Sequence, residues 1–237
     1  MGYGVTSASV LISFGIAPAI ASASVHTAEA FVDSISAASH LKFGNVEKRL
    51  LAPLLVCGTP GAILGAAGLS FLTLNAATPI VAIVLSCMAV IILIKFLFRW
   101  NKTGESSSSS SEKRRHSRKR LAVLGFVAGF VDASGGGGWG PILTPAFVAT
   151  GSDPRKAVGT VEFTEPIISV ATFVTFGLLI GFENFLWSMV LPVLAGGIIL
   201  TPIAAYVTSK TPRRLLGILV GLWVAVLNIR TLILSLL

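Results

Sequence analysis

Charge is what this sequence has least of. Only 12% of its 237 residues are charged, where a soluble domain carries about 25%. With 54% hydrophobic residues and a mean hydropathy of +0.86, the deficit excludes an ordinary soluble domain and points to the membrane. Cysteine is scarce: Cys57 and Cys87 both sit in apolar runs. That excludes a disulfide framework or a thiolate metal site and leaves two small buried hydrophobes. No ten-residue alternation of apolar and polar residues occurs, which excludes a transmembrane barrel. An intramembrane hydrolase would need a paired nucleophile and base, or an H-E-x-x-H helix. His26 with its neighbouring serines falls short of that, so no enzyme is expected.

What is present is a series of long apolar runs. Residues 79–93 carry no charge at all, and about 20 such residues cross a hydrocarbon core. The spans read as 4–16 (short), 18–41, 50–72, 76–98, 121–150 (interrupted by glycine), 157–180, 185–208 and 214–236. Between the fourth and fifth lies "NKTGESSSSSSEKRRHSRKR", residues 101–120. Its serines and charges cannot bury a face, so it is a flexible linker. Residues 99–120 hold eight of the basic side chains. The positive-inside rule places that loop in the cytoplasm, against anionic lipid rather than nucleic acid.

The chain repeats itself. A shift of 136 residues lays Gly2 and Gly4 on Gly138 and Gly140, with Tyr3 on Trp139. It also lays Gly15 on Gly151, Pro18 on Pro154, Ala21 on Ala157, Val25 on Val161 and Glu29 on Glu165. The start "MGYGVT" fits a myristoylation pattern, but the recurrence of its glycines favours a structural role. The second copy has "LAVLGFVAGFVDASGG" before its Gly-Trp-Gly and the first has only Met1, so a first helix is expected to be missing, by truncation or a misassigned start.

Loop charges then set topology. With the linker inside, Lys42, Lys48 and Arg49 fall inside, and the 15–18 and 73–75 turns, free of Lys and Arg, fall outside. In the second copy, Arg155, Lys156, Lys210, Arg213 and Arg214 are inside only if 121–150 enters and returns on one side. The expected fold is therefore an all-α integral membrane protein of two inverted-topology repeats with broken, re-entrant helices. Residues 1–100 form the first repeat, 101–120 the linker and 121–237 the second repeat. Such repeats meet near mid-membrane in secondary transporters.

"DASGGGGWGPILTP", residues 132–145, is the re-entrant tip. Non-helical backbone at that depth lines a wet cavity or is buried in protein. A helix restarting there offers free N–H groups and a positive dipole end, an anion site. The expected substrate-binding residues are Gly137, Gly138, Trp139 and Gly140, and, from the first repeat, Gly2, Tyr3 and Gly4. Gly58, Gly61, Gly65 and Gly68 share one helix face and read as close packing. His26, Glu29 and Asp33 lie on one face of 18–41, and Glu162 and Glu165 on one face of 157–180. Ionisable groups at this depth are costly and usually functional. Ionised carboxylates repel an anion. Protonated ones donate hydrogen bonds, and an apolar surrounding favours that form. Proton coupling or gating is therefore assigned to His26, Glu29, Glu162 and Glu165, with Asp132 beside the tip.

At these residues a family resemblance emerges. "MGYGVTSASVLISFGIAPAIASASVHTAEAFVDSISAASHLKFGNVEKRLLAPLL" resembles the first half of the sulfite exporter TauE/SafE family, also called toluene-sulfonate uptake permeases. "GFVAGFVDASGGGGWGPILTPAFVATGSDPRKAVGTVEFTEPIIS" resembles its second half. The resemblance implies a multi-helix secondary transporter in a prokaryotic plasma membrane, moving sulfite, sulfonates or related sulfur-containing anions. It also implies a further helix before Gly-Tyr-Gly. No cofactor is expected. The partners are a small anion, protons and the bilayer, and the reading is compatible with a homodimer. The alternative is a divalent metal-ion transporter, with His26, Glu29, Glu162 and Glu165 as ligands.

Overall fold

The computed structural model describes residues 3–94, 117–149, 152–210 and 213–236. These form helices α1 (Tyr3–Ser13), α2 (Pro18–Lys42), α3 (Lys48–Phe71), α4 (Leu74–Ile94), α5 (Arg118–Gly135), α6 (Trp139–Ala149), α7 (Pro154–Ile180), α8 (Trp187–Lys210) and α9 (Arg213–Leu236). A single 3-10 turn, Phe182–Asn184, separates α7 from α8. No strand occurs among the described residues.

The helix boundaries follow local chemistry. Pro18 and Pro154 open α2 and α7 in the first turn, where a missing N–H costs nothing. Asp153 caps α7 by accepting from the N–H groups of Arg155 and Lys156 at 3.0 and 3.1 Å. The glycine run has a specific task. Gly136 ends α5 in the left-handed region with φ +71°, and Gly137 follows at φ +151°. Neither conformation suits a side chain. Two residues later, at Trp139, α6 begins.

The outside of the molecule is greasier than a soluble protein allows. Val56, Phe71, Leu178 and Leu191 are each more than 60% exposed, while His26, Glu29, Asp132 and Asn228 are buried. That inversion is the membrane pattern. Three of the described helices, Lys48–Phe71, Asn75–Ile94 and Arg155–Ile180, are long and apolar enough to span. Cys87 is exposed on this outer face and Cys57 is half-buried, so the expectation of two buried thiols fails; both are free.

Where lipid surrounds the helices, contact and hydrogen bonding hold them together. α3 and α5 pack backbone to backbone. A Cβ on Gly61 or Gly65 would strike the carbonyls of Phe126 or Phe130, and one on Gly129 would strike the Gly58 carbonyl. Gly68 has nothing within 4 Å, so the expected glycine stripe stops one turn earlier. α2 lies along α7, and α4 and α1 lie against α9. The Asn228 amide donates to Ser9 Oγ at 2.7 Å, pinning α9 to α1.

Candidate functional site

The break between α5 and α6 is held from one side by Asp132. Its Oδ1 accepts the Trp139 N–H at 2.9 Å, at the start of α6. Its Oδ2 lies 3.1 Å from His26 Nε2 on α2. The other ring nitrogen, Nδ1, donates to the Ser22 carbonyl at 2.8 Å. Nδ1 therefore carries a proton, and a second proton is shared between Nε2 and Asp132. Ser22 Oγ also donates to the Ala133 carbonyl at 2.6 Å. The pair thus ties α2 to the break, and His26 is wholly buried.

On the other side of the break is a cavity of about 300 Å³, counted with the open space at its mouth. Tyr3, Gly4 and Val5 at the start of α1 form one wall, and Gly137, Gly138 and Pro141 another. These two helix starts abut. A Cβ on Gly4 would lie 2.8 Å from the Gly136 carbonyl, and one on Gly137 would strike the Val5 N–H. Glu29 and Asp33 on α2, with Glu162 and Glu165 on α7, complete the lining. Oxygens of Glu29, Asp33 and Glu165 lie within 4.8 Å of one another. Like charges at that spacing cannot all persist without protons or a cation. Glu162 accepts from Ser36 Oγ at 3.0 Å. Asp33 Oδ2 is buried with no hydrogen-bond partner among the described residues.

Of the residues singled out from sequence, Tyr3, Gly4, Glu29, Gly137, Gly138, Glu162 and Glu165 therefore come together around one cavity. Gly2 lies outside the described residues. Trp139 does not line the cavity. Its ring is fully buried, and its indole N–H donates to the Val161 carbonyl at 3.3 Å and Thr164 Oγ1 at 3.1 Å. A side chain on Gly58 would run into that ring, so the glycine makes room for it. Gly140 is buried and also absent from the lining. His26 and Asp132 stand behind the cavity, paired with each other. The metal set of His26, Glu29, Glu162 and Glu165 is consequently not assembled; the acids that converge are Glu29, Asp33 and Glu165. Asp33 was the missed member. Its signal is its place one turn beyond Glu29, but the 136-residue shift lays it on Ser169, so the repeat gives it no acidic counterpart.

Apolar helices around a cavity lined by acids and helix starts define an integral membrane protein of the transporter class. The chain belongs to the sulfite exporter TauE/SafE family, whose profile matches residues 1–231. It is 44% identical, over 98% of its length and 76% of the relative's, to the "Probable membrane transporter protein YtnM" of Bacillus subtilis (strain 168). No solved structure gives a significant match. The family and the relative are transporters, in agreement with the expectation of a non-enzyme.

Proposed function

We propose that the chain is a proton-coupled secondary transporter that exports small sulfur-containing anions, sulfite or organosulfonates, across the plasma membrane. The observation carrying this reading is the meeting of two helix starts, at Gly4 and at Gly137–Gly138, over a cavity shared with three converging acids. Helix starts attract an anion. The acids repel it when ionised and hydrogen-bond it when protonated, so protons and anion bind together and leave together. The family to which the chain belongs supports the choice of sulfur oxyanion. In this reading the linker 101–120 is cytoplasmic and the two repeats are inverted, each lending one helix start to the site. Asp132 already supplies an anion to the Trp139 N–H, which shifts the mobile anion toward Gly4, Gly137 and Gly138.

The test is transport of sulfite into proteoliposomes at a series of pH values. Transport should strengthen as the anion-loading side is acidified. Glu29→Gln or Glu165→Gln should flatten that dependence; a normal pH profile in both variants would remove these acids from coupling.

A further inference from the structure

Helix α7 carries a stripe of residues of which the cavity uses only one end. Glu162, Glu165, Ser169, Thr172 and Phe176 are spaced three and four apart, so they share one face. The first two line the cavity. The other three are 0% exposed. Ser169 Oγ and Thr172 Oγ1 have no hydrogen-bond partner among the described residues. Elsewhere on α7, hydroxyls fold back onto their own helix: Thr160 onto Lys156 at 2.6 Å, Thr164 onto Thr160 at 3.1 Å, Thr175 onto Ala171 at 2.7 Å. Ser169 and Thr172 do not, and a buried hydroxyl left open is costly.

The stripe has a direction and an end. α2 and α7 run antiparallel, with Ser36 beside Glu162 at one end and Ser24 accepting the Leu186 N–H at 3.2 Å at the other. From the acids, Asp33 and Ser36 lead toward the first end, and Ser169 and Thr172 toward the second. About 16 Å beyond Glu165 stands Phe176, three residues along α7 from Phe173, which belongs to an aromatic knot. Phe173 and Phe185 each lie within 5.6 Å of the Phe182 ring, and Trp187 stacks on Phe185 at 6.0 Å. The Phe182 ring lies on Gly177, leaving no room for a Cβ there.

We infer that this face of α7 is the closed half of the transport route: Ser169 and Thr172 are hydroxyl donors for the oxyanion, and Phe176 with the aromatic knot is the gate. The inference rests on the transporter reading above and adds to it the path and the gate. In the state seen here the cavity ends at Glu165 and the hydroxyls wait unpartnered beyond it.

The experiment places one cysteine, Thr172→Cys, in a chain carrying Cys57→Ala and Cys87→Ala. Proteoliposomes are exposed to a membrane-impermeant thiosulfonate from the side of the 182–187 turn. Sulfoacetate is the probe anion, because sulfite would consume the reagent. Val174→Cys, on the exposed face of α7, is the control. Sulfoacetate should raise labelling at position 172 about tenfold, as expected when a minor open state becomes a major one, and leave position 174 unchanged. Adding Phe176→Ala should allow labelling at 172 without any anion, while Phe176→Leu, which keeps bulk, should not. Position 172 staying unlabelled in the folded Phe176→Ala protein would overturn the passage. Labelling in Phe176→Ala with no response to sulfoacetate in the parent would support the passage and count against sulfonate as the cargo, so the two readings fail separately.

Discussion

Helix α2 presents two kinds of buried ionisable group, less than two turns apart. His26 is matched to Asp132, and every polar atom of that pair faces a partner: the Trp139 N–H, the Ser22 carbonyl, or each other. Glu29 and Asp33 face Glu165 across a cavity and, among the described residues, none of the three makes a hydrogen bond. Glu29 approaches His26 no closer than 3.9 Å. His26 and Asp132 are fully buried, whereas of the three acids only Glu29 is, with Asp33 and Glu165 half-buried beside the cavity. What separates the carboxylates further is satisfaction. A carboxylate with both oxygens occupied is a fastener, and one left open to a cavity can gain or lose a proton as its ligand comes and goes.

Substitutions sharpen that contrast. The largest effect is expected at the backbone joint between the groups. Gly137→Ala forces a side chain into a φ of +151° and against Val5, each costing on the order of 1–3 kcal/mol. A thermal melt should show loss of the folded protein, with transport abolished. Next comes the fastener. Asp132→Ala leaves His26 Nε2 and the Trp139 N–H without their partner, and breaking a buried pair costs about 3–5 kcal/mol. The melting temperature should fall steeply, and any surviving transport should keep its pH profile. An unchanged melting temperature with a flattened profile would move Asp132 into the coupling set.

Glu29→Gln should behave in the opposite way. Stability should change little, because no hydrogen bond is lost. Sulfite affinity, falling up to about tenfold per pH unit when one proton binds with the anion, should become nearly flat across the titrated range. A Glu29→Gln protein that melts early and keeps its slope would erase the distinction between the two groups. The smallest effect is expected at Gly68→Ala, where nothing lies within 4 Å. Replacing that helical glycine should raise stability by roughly 0.5–1 kcal/mol, whereas Gly65→Ala, against the Phe130 carbonyl, should lower it.

Most of this site can be read from residue order. Prolines at 18 and 154 mark helix starts, the glycine run marks the break, and the 136-residue shift pairs Glu29 with Glu165 and brings Gly4 into view. Two features cannot be read that way, for physical reasons. Trp139 has to choose between the cavity and the cleft over Gly58, and that choice depends on Thr164 and the Val161 carbonyl offering acceptors on α7. Asp132 and His26 are 106 residues apart and belong to no common motif. Only the packing of α2 beside the break makes them a pair. Asp33 lacks a symmetric acid, so a reading built on repetition passes over it.

The contact between α3 and α5 has a mechanical meaning. Where Gly61 and Gly65 press on the Phe126 and Phe130 carbonyls, no flexible side chain cushions the joint. Rolling or sliding one helix over the other would drive carbonyl into Cα at every step, as teeth lock in a seized gear. The pair is therefore a chassis. Any stroke of the transporter has to be taken up at seams packed through side chains, such as α2 on α7, and the smallest residues in the chain mark the part that stays still.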